Sequence, residues 1–145
     1  MLLFDRMNAA NSLLIGIAYV EELLILLWRW RFRSEPVPKG SSIKRYKPLL
    51  RALGLNAETL SCWATVQDAY KIRNCLLHAN GRVSFMRDSE ELRACIRRHQ
   101  GALDERHDRV VVTSQFLRHF VHAARELRDR MLEAQFELKA TDTPA

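Results

Sequence analysis

Residues 13–28 read LLIGIAYVEELLILLW, a run in which only Glu21 and Glu22 carry charge. Leu13, Leu14, Ile17, Val20, Leu24, Leu27 and Trp28 recur at the three- and four-residue spacing of one helix face, and Leu23, Ile25 and Leu26 widen the stripe. The pattern extends from about residue 5 to residue 33, with Gly16 the main breaker, and predicts one long helix. So broad an apolar surface needs partners on more than one side, from its own domain or from a second subunit. The run is short for a bilayer span and holds two adjacent carboxylates near its centre, so no membrane-crossing helix is expected. It also lacks the basic start and small-residue cleavage site of a secretory signal. The expectation is a cytoplasmic protein with no membrane partner.

Outward from this helix, residues 34–42 (SEPVPKGSS) form a turn-rich linker, followed by a short basic helical piece over about 46–53 that Gly54 closes. Asn56 is placed to cap a second long helix over about 57–79, which Asn80-Gly81 ends. Asp88-Ser89-Glu90-Glu91 has the spacing of a capping box and predicts a helix to about His99. Val110-Val111-Val112 is the one convincing β signal, short enough to be half of a small hairpin. Thr113 or Ser114 caps a last helix to about Glu137, with Phe116, Leu117, Phe120, Val121, Ala124, Leu127 and Met131 as its apolar stripe. The predicted fold class is all-α: a bundle of about four to five helices with one short β segment near 110–112. It forms a single domain over 1–145, with a core over about 5–137 and a disordered tail at 138–145.

Composition agrees with this reading. The chain has 145 residues, 48% apolar and 28% charged, with only five Gly and four Pro. That balance argues against wholesale disorder and against a many-turned β-sandwich. Cys62, Cys75 and Cys95 are odd in number and form no C-x-x-C pair, which disfavours a disulfide framework or a zinc ribbon. They read as buried hydrophobes in a reducing compartment. The net charge is +6, and it is uneven: residues 28–55 carry eight positive and one negative charge, residues 71–98 seven and three, and the remaining stretches are slightly negative. Two basic clusters on a near-neutral background point to a polyanion, and RNA is the expected partner. Arg-rich composition by itself is the plainer explanation.

The second long helix contains an anomaly. At 100° per residue Cys62, Val66, Tyr70, Arg73 and Leu77 fall within about 80° of arc, so a charge sits among core-type residues. Either Arg73 is functional, or it snorkels or pairs with a carboxylate such as Glu21 or Glu22. Asn74 follows it, and His78 lies one turn beyond Asn74 at a helix end, with a side chain suited to proton transfer near neutral pH. A helix-dipole role is the plainer alternative for His78. Arg73 and His78 are about 140° apart around the helix, so one copy cannot aim both at a small target unless the long Arg wraps round. Two copies across a dimer axis would solve this.

The run Arg73-Asn74-Cys75-Leu76-Leu77-His78 resembles the R-x4-6-H signature of the HEPN superfamily, and KIRNCLLHANGRVS resembles the same neighbourhood in small bacterial members. The order of elements matches as well: a long first helix with an acidic residue, the motif helix, then a terminal amphipathic helix. The resemblance implies a metal-independent endoribonuclease, built as a homodimer that pools the motif side chains. His78 would transfer protons at the ribose 2′-hydroxyl or the leaving oxygen, Arg73 would stabilise charge on the phosphate, and Asn74 would orient the His or bind phosphate. It also implies a role in phage defence, stress response or a toxin–antitoxin pair, with an antitoxin or other regulatory protein as a further partner. The Tyr found two residues after the His in some HEPN toxins is Asn80 here. Some HEPN domains have lost catalysis, so the alternative is an inactive helical dimer module that binds RNA or a partner protein. No metal or cofactor is expected. The residues expected to bind RNA are Lys71, Arg82, Arg29, Arg31 and Arg33.

Trp28-Arg29-Trp30-Arg31-Phe32-Arg33 interleaves aromatics with arginines, as base-stacking surfaces do, or else is a helix end with Trp28 packed inward. His119 and His122 have metal-compatible spacing without an obvious third ligand and read as a solvated face.

Overall fold

The computed structural model describes residues 3–141. The long apolar pattern forms α1 (Leu3–Arg31), and the terminal stripe forms α5 (Ser114–Thr141). Between them come α2 (Lys47–Ala52), α3 (Ser61–His78) and α4 (Ser89–Arg98). The strands β1 (Leu103–Arg106) and β2 (Arg109–Val112) form one antiparallel hairpin. The fold is mainly helical with a short β segment, as the sequence pattern predicts.

Helices α1, α3 and α5 form the core, where Leu13, Ile17, Leu24, Trp63, Val66, Phe116 and Phe120 are buried together. Gly16 allows close contact between α1 and α5: a Cβ there would lie 2.7 Å from Cε1 of Phe120. A three-ten turn (Ile43–Tyr46) and α2 close one end with Ile43, Tyr46, Leu49 and Leu50. The other end is closed by α4 and the hairpin. By length and composition α1 could cross a bilayer. In this fold one of its faces lies in the core and the opposite face is open.

Several local expectations are corrected. The helix predicted over 57–79 is broken. Asn56 caps only a three-ten turn (Ala57–Thr59), its Oδ1 accepting from the Glu58 amide at 3.0 Å, and Leu60 then turns extended and buried before α3 begins. The capping box at Asp88 does not form: Asp88 makes no side-chain bond to the helix, and Glu91 instead pairs with Lys71 at 2.8 Å. The hairpin turn is His107-Asp108, both with φ near 50–60° (51° and 62°), and Asp108 is tied to Ser84. The expected tail is helical over 138–141, and residues 142–145 lie outside the described residues. All three cysteines are buried and free. Burial pushes the Cys75 thiol up to about 11 and the Cys95 thiol up to about 12.

Candidate functional site

The buried arc of α3 swings round along its length. The first half buries Cys62, Trp63, Val66, Ala69 and Tyr70, whereas the second half buries Ile72, Cys75 and Ala79. The change follows from what covers each half: the second half meets the hairpin, and Val110 donates to the Gly81 carbonyl at 2.9 Å. Leu77, placed in the core stripe by simple periodicity, is therefore 52% exposed. Taken in order round the helix, Arg73, Leu77, Asn74 and His78 occupy one arc of about 140°, on which Leu77 and His78 are exposed and Arg73 and Asn74 half-buried. Arg73 and His78 stand at its two edges.

Each side chain on this face has a distinct environment. Arg73 is partly exposed, with Nη2 3.7 Å from Oε2 of Glu21 and its guanidinium 5.4 Å from the Tyr70 ring centre. Glu21 has a second, closer partner in Arg45, which also donates to the Ser42 carbonyl at 2.8 Å. Asn74 donates from Nδ2 to the Ser41 carbonyl at 3.3 Å, while its Oδ1 is buried and unpaired, as is the Tyr70 hydroxyl. Burial raises the Tyr70 phenol above its ordinary range. His78 is exposed in the last turn of α3. Asn80 and Gly81 both turn left-handed behind it, and Gly81 donates to the Cys75 carbonyl at 3.0 Å.

The residues expected to bind RNA are not gathered in one place. Arg82 is exposed close to the end of α3, its guanidinium 5.2 Å from the Phe85 ring centre. Arg109, which the sequence does not mark out, stands beside it and donates to the Asn80 carbonyl at 2.6 Å. Lys71 is held by Glu91 at 2.8 Å and lies 3.8 Å from Asp68. Arg29, Arg31 and Arg33 lie at the far end of α1. That helix runs antiparallel to α3: its first turns line a cavity with Arg109 and Val110, and Glu21 meets Arg73. In the Trp-Arg alternation Trp28 packs inward on Phe32 and Tyr46, while Trp30 is 6.2 Å from Phe136. Arg45 is the other residue that sequence reasoning missed. It lies 24 positions from Glu21, beyond the reach of any periodicity.

Asp68, Cys95 and His99 bring ligand-type atoms within 4.8 Å of one another. The Asp68 carboxylate already accepts from Arg98 at 2.7 Å and is 2.8 Å from His99 Nε2. Burial pushes this carboxyl up, but the bonds from His99 and Arg98 outweigh it and hold the group below its ordinary value. A cation would have to displace Arg98 and take the proton of a deeply buried thiol, so the group acts as a latch between α3 and α4. His119 and His122 are exposed on α5. No protein-family model, curated protein or solved structure matches the chain.

Proposed function

We propose that the protein is a HEPN-type, metal-independent endoribonuclease whose active site is composed from two copies of the open end of α3. The observation that carries this reading is the 140° face on which Arg73, Asn74 and His78 surround an exposed Leu77. Leu77 gives that face apolar area to bury against a second copy. Facing ends would let His78 of one copy work with Arg73 of the other. His78 takes the proton of a ribose 2′-hydroxyl, whose oxygen attacks the adjacent phosphorus. The bond to the 5′-oxygen breaks, that oxygen takes up a proton, and a 2′,3′-cyclic phosphate remains. Arg73 stabilises the charge that builds on the non-bridging oxygens. Arg82 and Arg109 at the same end offer phosphate contacts. The cytoplasm is the compartment this reading implies.

Purified protein incubated with total RNA in excess chelator tests the proposal. Cleavage should leave cyclic phosphate ends, and should be absent from Arg73→Ala and His78→Ala proteins of unchanged fold. The Glu21–Arg73 pair favours a second reading, a non-catalytic dimer module in which Arg73 is structural. RNA that is bound but left intact by the parent protein would select that reading.

A further inference from the structure

Beside the α3 arc, two small cavities adjoin at Asn74. The larger is about 240 Å³ and the smaller about 100 Å³, and Lys71, Asn74, Asp88 and Glu91 line both, so the two make one slot. Ile43 and Tyr70 give the larger cavity apolar walls, as Met86 and Leu92 do for the smaller. Walls of that kind with a few polar groups between them suit a flat, polar-edged ligand.

The polar groups of the slot specify which ligand. Asn74 commits its Nδ2 to the Ser41 carbonyl at 3.3 Å, which fixes the orientation of the amide and leaves Oδ1 buried without a donor. The Asp88 carboxylate has no hydrogen bond or ion pair among the described residues. Tyr70 is 2% exposed and its hydroxyl is unpaired. A buried acceptor left without a donor is costly, so the slot is matched to a ligand that brings donors. Phosphate brings only acceptors. Lys71, held by Glu91 at 2.8 Å, still has ammonium protons to donate. Of the four RNA bases only guanine carries two neighbouring donors, N1–H and the 2-amino group, beside an acceptor, O6, on its Watson–Crick edge. Adenine and cytosine set one amino group beside a ring acceptor, and uracil sets one N–H between two carbonyls. We infer that the slot takes a guanine base. Its N1–H and 2-amino group donate to Asp88 and to Asn74 Oδ1, and Lys71 donates to O6. Lys44, on the wall of the larger cavity and without an ion pair among the described residues, meets the phosphate of the same nucleotide. Asn74 adjoins Arg73 and lies one turn before His78, so the bound guanine stands next to the bond that is cut. That last step rests on the ribonuclease reading, whereas base binding in the slot does not.

Titrating isotope-labelled protein with guanosine monophosphate, followed by NMR, tests the slot. The side-chain amide signal of Asn74 should shift. Adenosine, cytidine and uridine monophosphates should bind at least about tenfold more weakly, because they leave these acceptors unpaired. Inosine monophosphate, which lacks only the 2-amino group, should fall between. Asp88→Asn replaces an acceptor by a donor and should abolish the preference for guanine at an unchanged melting temperature. Lys44→Ala should weaken all the monophosphates alike. Equal binding of the four, or a preference that survives Asp88→Asn, would overturn the inference. Among the ends of cleaved RNA, guanine should recur at one fixed position beside the break, and less so with Asp88→Asn. RNA cut without that bias, by a protein indifferent to guanosine monophosphate, overturns the slot and leaves the ribonuclease reading standing. Selective guanosine monophosphate binding at Asn74 in a protein that cuts no RNA upholds the slot and removes the ribonuclease.

Discussion

Arg73 is the residue at which the catalytic and structural readings separate, and Arg45 makes the separation measurable. An unpaired, partly buried carboxylate is costly, so removing the only partner of Glu21 would destabilise the fold. Glu21, however, is shared, and Arg45 is the closer and more buried of its two partners. Arg73→Ala should therefore lower stability by less than about 1 kcal/mol, in the range of a weak surface pair. Arg45→Ala should cost about 2 kcal/mol, as expected for a charge-assisted bond in a partly buried site. Urea titrations of the two variants check the order, and a larger loss for Arg73→Ala would make it the structural residue. His78→Ala removes an exposed side chain, so its melting temperature should match the parent while cleavage falls by about 10²–10⁴-fold. Equal cleavage rates would remove His78 from the mechanism.

At the level of elements, two contacts decide how the helices sit. Gly16→Ala should gain about 1 kcal/mol of helix propensity in α1. The new Cβ would lie 2.7 Å from the buried Phe120 ring, and overpacking of this kind costs about 1–3 kcal/mol. The net effect should be destabilising by about 1 kcal/mol, read by chemical denaturation, and Gly16→Ala with Phe120→Leu should recover part of it. The Asp68 latch couples α3 to α4 and depends on pH. Its folded pKa lies below the ordinary value near 3.9, so its contribution is complete above that pH and is lost as the pH falls through the lower folded value. Asp68→Asn should cost about 2 kcal/mol at neutral pH. It should also flatten the stability profile below about pH 4. A variant whose acid unfolding parallels the parent would show that the latch contributes nothing.

Across the whole molecule, the arginines expected to bind RNA are separated: Arg29, Arg31 and Arg33 stand at one end of α1, and Arg82, with Arg109 beside it, stands by the end of α3. If about four phosphates are neutralised in the RNA complex, log affinity should fall with a slope of about −3 against log salt for a single strand. Titration of a labelled strand with His78→Ala protein at several salt concentrations checks this. Arg82→Ala should reduce the slope by roughly 0.7, one phosphate contact for single-stranded RNA. A salt-independent affinity would argue against RNA as the partner.

The long apolar period of α1, the stripe of α5 and the stop at Asn80-Gly81 were legible in the sequence because each depends on neighbours a few residues away. The hairpin was half-legible: its valines showed, but its turn is His107-Asp108, without the Asn-Gly or Asp-Gly signal that such turns usually carry. The break at Leu60 was hidden because Asn56 looks the same whether it caps one turn or a whole helix. For the candidate site, the sequence by itself determined which side chains share α3 and how far apart they stand round it, since helix geometry is local. It could not determine which arc of α3 is covered, because that depends on the hairpin packing on the second half and not the first. Tertiary packing alone therefore exposed Leu77, gave Glu21 two arginines and left one face of α1 open. Burial and ion pairing are set by segments that meet only when the chain folds.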